Sequence, residues 1–209
     1  AAPDVFDTLL GQLRTLNLRS EADLTARSAE LLQLATDLER DAALLARLIT
    51  MENGCPNAQS EALQVQSAVA LIRSLVDQAS EFAFTEVRSG ARGGKVRIDR
   101  LPIGIALGIV PSNVPIFLAC LKLATALLAG CSVVLKPSPE NVDSMACFSR
   151  YLARMDLPAG AVNLILGGRT IGDHLVRNDV FQKVSFTGSS ASGLAVAQLC
   201  AQRFARVTL

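Results

Sequence analysis

The sequence contains no tryptophan, one tyrosine and one histidine. That leaves no aromatic platform on which single-stranded nucleic acid could stack. Charge is equally scarce as a signal. Twenty Lys and Arg stand against nineteen Asp and Glu, a formal net charge of +1, so no electrostatic case exists for nucleic acid or an anionic membrane as partner. Five cysteines occur, Cys55, Cys120, Cys131, Cys147 and Cys200, widely spaced and without a C-x-x-C pair, and His174 stands alone. No metal site is predicted from such a set. An odd number of scattered cysteines suits reduced thiols in a cytoplasmic protein, mostly as small core residues.

Also missing is an uninterrupted apolar run long enough to span a membrane. Leu101–Leu121 and Val114–Leu135 come nearest. The first holds Pro102, Pro111, Ser112, Asn113 and Pro115, and the second Lys122 and Gly130. Prolines and an asparagine would break a spanning helix near its middle, so buried α/β core is the better reading. Ala1-Ala2-Pro3-Asp4 carries neither the basic start nor the apolar stretch of a secretory leader, and a cytoplasmic location is expected. No G-x-G-x-x-G fingerprint and no solenoid repeat are present.

What is present is a chain of 209 residues, half of them hydrophobic and 19% charged. That is enough for one domain with a full core, or one large domain plus an appendage. Residues 4 to 87 read as helical. Ser20, followed three residues later by Asp23, resembles a helix start. Leu24, Leu31, Leu34, Leu38, Leu45 and Leu48 then recur at helical spacing. Met51-Glu52-Asn53-Gly54-Cys55-Pro56 stops the helix, with Gly54 suited to a left-handed terminus and Pro56 barring continuation. A further helix is predicted from about Ser60 to Phe84, burying Leu63, Val65, Val69, Ile72, Leu75 and Val76.

Composition then shifts. Residues 88–100, built round Arg88-Ser89-Gly90-Ala91-Arg92-Gly93-Gly94-Lys95, read as a hairpin. It is either an ordinary surface hairpin or an edge that pairs with another subunit. From Leu101 strand and helix alternate. Strands are predicted at 103–110, 131–135, 162–166 and 183–186, with helices at 115–129, 142–155, from 169 to about 177, and at 191–203. Another strand begins at Arg206-Val207-Thr208-Leu209. This rhythm argues for a parallel sheet covered on both faces. In such sheets ligands sit outside the carboxyl ends of the strands.

The order and spacing of several motifs carry a family likeness. They are Leu101-Pro102-Ile103-Gly104, Pro111-Ser112-Asn113-Val114-Pro115, Val133-Val134-Leu135-Lys136-Pro137-Ser138, Leu157-Pro158-Ala159-Gly160-Ala161-Val162-Asn163 and Phe186-Thr187-Gly188-Ser189. Together they closely resemble the aldehyde dehydrogenase superfamily, and Leu48-Ile49-Thr50-Met51-Glu52-Asn53-Gly54 agrees more loosely. The resemblance covers nearly the whole chain. It implies a Rossmann-like parallel sheet with helices on both faces, preceded by a helical segment and a β-hairpin. Residues 1–87 would be the helical segment, 88–100 the hairpin and oligomerisation edge of a homo-oligomer, and 101–209 the NAD(P)-binding core. In the family the strand at Arg206 continues into a Glu-Leu-Gly-Gly segment holding the general base, and the nucleophilic cysteine follows later. Neither is present in these residues, so the resemblance implies a cofactor-binding part cut at both ends and inactive alone.

The same likeness implies roles. Asn113 would donate its side-chain amide to the oxyanion formed when a thiolate attacks an aldehyde. Such a donor is worth roughly 3–4 kcal/mol in the transition state. Taken without the family it would be a helix N-cap. Ser112 stands where relatives carry an aromatic. Ile109, Val110, Pro111 and Ser112 would line the NAD or NADP site, with Lys136, Ser138 and Pro139 near the adenosine ribose. Many relatives have a ribose-binding Glu at the position of Pro139; here Glu140 comes next instead, so a ribose-selective carboxylate is not evident. Gly168, Arg169 and Gly172 form a second strand-to-helix turn, with Arg169 free to accept a 2′-phosphate. Phe186, Thr187, Gly188 and Ser189, with Gly193 beyond, would meet the pyrophosphate at a helix start, or simply cap it. No cysteine is a convincing nucleophile: Cys55 is expected to be the most exposed, the others to be buried, and His174 to lie on the surface at a helix start. The expected function is NAD(P)-dependent oxidation of an aldehyde to a carboxylic acid through a thioester. The alternative is a non-catalytic nucleotide-binding or assembly module.

Overall fold

A computed structural model of the chain describes residues 21–209, with side chains from residue 24 onward. The helix expected over 4–20 and the start signal at Ser20 and Asp23 lie outside the described residues and side chains. From there the leucine spacing produces two helices where the sequence predicts one, α1 (Glu21–Arg40) and α2 (Ala42–Asn53). The break falls at Asp41, which leaves helical geometry at φ −101°, ψ 17°. Its carboxylate accepts from Arg40 and, at 2.8 Å, from Tyr151 Oη. A short polar side chain drawn into such bonds competes with the helix. The stop after α2 is as expected: Gly54 is left-handed at φ 75°, and its N–H donates to Thr50 O at 3.0 Å.

The next helix departs from its expected phase. A short α3 (Asn57–Gln59) runs into a π-helical segment (Ser60–Gln66) and then α4 (Ser67–Glu81). The wide turn rotates the face that meets the core. Leu63, expected inside, is 63% exposed, while Ser60 and Gln64 are buried beside Val65, which is buried as expected. Beyond the segment Val69, Ile72 and Val76 are buried as expected. The helix also stops at Glu81, a turn short of the expected end near Phe84. Phe82 turns extended at φ −75°, ψ 123°, and residues expected to be helical become β1 (Thr85–Ser89), paired antiparallel with β2 (Lys95–Asp99).

The remaining chain alternates β3 (Ile105–Ile109), α5 (Pro115–Leu128), β4 (Ser132–Lys136), α6 (Val142–Leu152), β5 (Val162–Leu164), α7 (Arg169–Arg177), β6 (Phe181–Phe186), α8 (Ser190–Ala201) and β7 (Arg206–Thr208). The five strands lie in the order β5-β4-β3-β6-β7, all parallel. Two cores sit on the two faces. Val133 and Leu135 of β4 join a cluster with α1, α2, α4, α5 and α6, while Val134 points to a second cluster with Leu175 and Val176 of α7 and Val196 and Cys200 of α8. This is why Val133–Leu135 reads as an unbroken apolar run: successive side chains alternate and both faces are covered. The start of α6 is capped from a distance, since Glu52 Oε1 at the end of α2 accepts from Asp143 N (2.6 Å) and Ser144 N (2.9 Å).

Candidate functional site

Three strands end at one cleft. Ile109, Lys136 and Phe186 are the last residues of β3, β4 and β6, and all three line a cleft of about 340 Å³ whose other wall is α7 and α8. Ser138, Pro139, Arg169 and Gly172 line it too. Seven of the residues singled out in the sequence therefore converge on the carboxyl edge of the sheet. Apolar surface comes from Val176, Val196 and Leu199.

The polar groups of the cleft are coupled. Lys136 is buried, and its Nζ donates to Pro137 O at 2.9 Å. Burial lowers the pKa of its ammonium, and the charge of Glu140 opposes that shift. Ser138 Oγ donates to Glu140 Oε2, and this bond chiefly holds the Glu140 carboxyl below its ordinary range. A carboxylate, that of Glu140, nevertheless lines the cleft. Pro139 occupies the expected position, but Ser138–Asn141 closes a turn (Asn141 N to Ser138 O, 3.2 Å) that swings Glu140 into the cleft wall. Arg169 is exposed and makes no hydrogen bond or ion pair among the described residues. Gly172 leaves ordinary contact room, since a Cβ there would lie 3.6 Å from Lys136 Cε. Gly168, the N-cap of α7, does not line the cleft.

A second recess of about 450 Å³ adjoins at Phe186, which lines both, and is bordered by Thr187, Gly188 and Ser189. A Cβ at residue 188 would sit 2.6 Å from Phe186 Cζ, so glycine there lets the ring lie between the two hollows. Ser189 is the N-cap of α8, its Oγ accepting from Ser192 N at 3.3 Å. Gly193 is buried in the first turn of α8.

The turn after β3 stands apart from both recesses. Val110 is buried in the helical-side core, its N–H donating to Lys136 O at 3.0 Å, and Pro111 and Ser112 are half-buried. None of the three lines the cleft or the recess, and neither does Asn113. The N-cap of α5 is Val114, without a side-chain capping bond, so Asn113 does not act as that cap. Its carboxamide is exposed and has no hydrogen-bond partner among the described residues.

One group escaped the reading of the sequence. Lys122 is buried in the middle of α5, and its Nζ donates to Ser185 Oγ (2.9 Å) and Thr187 Oγ1 (3.1 Å) at the carboxyl end of β6. Burial, and secondarily the charge of Lys183, lower its pKa to about 8. The available signal was a lone cation in the otherwise apolar Pro115–Leu128. Among the cysteines, Cys120, Cys131 and Cys200 are buried, and burial pushes the thiols of Cys120 and Cys200 up. Cys55 and Cys147 are both half-buried, which corrects the expectation of a buried Cys147. His174 is exposed, as expected, but in the last turn of α7 rather than at its start. No helix among the described residues is long and apolar enough to cross a membrane.

A geranial dehydrogenase of Castellaniella defragrans is 35% identical over 187 residues, which are 90% of this chain and 39% of that protein. A phenylacetaldehyde dehydrogenase of Pseudomonas fluorescens is 34% identical, over 88% of this chain and 38% of that one. The chain thus spans about two fifths of the length of these relatives. The crystal structure of a Mycobacterium tuberculosis aldehyde dehydrogenase complexed with NAD+ superposes with a TM-score of 0.82 at 32% identity, over 88% of this chain and 38% of that chain. Residues 17–209 match the aldehyde dehydrogenase family as a whole. With the parallel sheet and its carboxyl-edge cleft already in view, this places the chain in the aldehyde dehydrogenase family.

Proposed function

We propose that the protein oxidises an aldehyde to a carboxylic acid with NAD or NADP through a thioester, and that this chain is its cofactor-binding portion. The observation that carries the reading is the cleft at the ends of β3, β4 and β6. It sets an ammonium, a hydroxyl, a carboxylate and a guanidinium around apolar walls. That donor set fits the adenosine half of a dinucleotide. Val196, Leu199 and Ile109 would cover the base, Glu140 and Ser138 would bind ribose hydroxyls, and Lys136 and Arg169 would offer positive charge. The start of α8 at Ser189 would offer first-turn N–H groups to the pyrophosphate, and Phe186, which lines both hollows, would lie between the two halves of the cofactor.

When bound, NAD(P) accepts the hydride. This chain's own residues bind and orient the cofactor, and Asn113 offers a carboxamide donor to the oxygen that turns negative when a thiolate adds to the aldehyde carbon. In this reading the thiolate, the general base and most of the aldehyde pocket come from the rest of a longer protein. Residues 1–87 and 101–209 form the cofactor-binding part, and 88–100 supply an edge for a homo-oligomer, in the cytoplasm. The test is twofold. The full-length protein should reduce NAD+ or NADP+ only when an aldehyde is added, and Lys136→Ala should raise KM for the cofactor about tenfold. Failure of both cofactors to bind would overturn the assignment of the cleft. Aldehyde-dependent turnover by the 209 residues alone would overturn the division of labour.

A further inference from the structure

Three side-chain amides converge on the two carbonyls that flank the Asn113 Cα. Asn53 Nδ2 donates to Ser112 O at 3.0 Å and to Asn113 O at 3.2 Å. Gln64 Nε2 donates to Asn113 O at 3.2 Å, and Asn141 Nδ2 to Ser112 O at 3.3 Å. Each carbonyl thus receives two donors, which is its full complement of lone pairs. The Ser112 oxygen belongs to the peptide plane before Asn113, and the Asn113 oxygen to the plane after it. Fixing both rigid planes fixes φ and ψ of the residue between them, and so the direction of its Cα–Cβ bond. The α-helix does not do this. The first α5 bond runs from Leu118 N to Val114 O, one residue later.

The clamp has an orientation. Asn53 Oδ1 accepts from Cys55 N at 3.0 Å, which sets which edge of its amide faces the turn. Gln64 and Asn141 are buried, and their carboxamide oxygens have no partner among the described residues. Both amides thus direct their donors, rather than their acceptors, to the turn. We infer that Asn53, seconded by Gln64, is a positioning residue that aims the Asn113 carboxamide by pinning the peptide planes on either side of it. This rests on the reading of Asn113 as the oxyanion donor.

The experiment is a double-mutant cycle in the full-length enzyme, with kcat and KM measured for Asn113→Ala, Asn53→Ala and the pair. Asn53→Ala should lower kcat roughly 10- to 100-fold, the range expected when a catalytic group is misplaced by about an ångström, with KM for cofactor and aldehyde nearly unchanged. Asn53→Asp should be lower still, because its carboxylate would face two carbonyl oxygens. In the Asn113→Ala background Asn53→Ala should change kcat less than about twofold, since its effect passes through a group no longer there. If it loses its full effect again in that background, or leaves kcat untouched in the wild type, the positioning role is wrong although Asn113 stands. If Asn113→Ala itself leaves kcat unchanged, the oxyanion reading falls and takes this inference with it. Should the Asn53 variants not fold, Gln64→Met, which keeps shape but removes the donor, runs through the same cycle with the same outcomes deciding.

Discussion

Gly108 and Lys122 touch where β3 passes under α5. A Cβ at residue 108 would lie 3.1 Å from Lys122 Cδ and 3.2 Å from Lys122 Cβ, with Leu135 Cδ2 at 3.0 Å on the other side. The strand residue is glycine because the lysine stem occupies the space a side chain would take. Gly108→Ala is therefore expected to lower stability by roughly 1–3 kcal/mol, the usual cost of overpacking a filled core. Unfolding in denaturant measures this, and a change below about 0.5 kcal/mol would show that the stem can move aside freely.

The buried ammonium of Lys122 makes a pH signature. Its pKa falls from 10.5 to about 8 in the folded state. Below about pH 8 both states carry the charge, and the folded state bears the burial penalty in full. Between about 8 and 10.5 the unfolded chain holds a proton the folded chain has released, so this group makes stability rise with pH across that window. Lys122→Met removes that contribution. The stability of the variant relative to the parent should be most favourable near pH 7 and decline towards about pH 10. A difference that stays flat between those two values would mean that Lys122 titrates normally.

In the proposed reading, cofactor choice would turn on two of the charged groups that line the cleft, the guanidinium of Arg169 and the carboxylate of Glu140. A carboxylate favours free ribose hydroxyls, and an arginine accommodates a 2′-phosphate. Arg169→Ala should raise KM for NADP roughly tenfold with little change for NAD, and Glu140→Gln should raise KM for NAD, each by the loss of a charge-assisted bond. Equal KM values for NAD in wild type and Arg169→Ala, with NADP used by neither, would remove Arg169 from the site.

Much of the site was legible in the residues because parallel strands end where their apolar runs end. Val133-Val134-Leu135-Lys136 marks the carboxyl end of β4 by its change from apolar to charged, and Phe186-Thr187-Gly188-Ser189 marks that of β6 by its turn residues. Position in sequence sufficed to bring Lys136, Ser138, Arg169 and Phe186 to one edge, since topology does the rest. Glu140 was not legible, because its place depends on a turn closed by Asn141 N rather than on spacing along an extended chain.

From Leu101 onward the alternation of apolar runs and helical spacing settles which segments are strands and which are helices, because burying both faces of a parallel sheet leaves few other arrangements. Three-dimensional packing settles the remainder. The packing of Lys122 against Gly108 and the reach of Asn53 across 59 residues to Ser112 O turn on distances between segments remote in the chain. Such contacts leave no periodic trace, since each is made once, between side chains whose neighbours along the backbone give no hint of their partner.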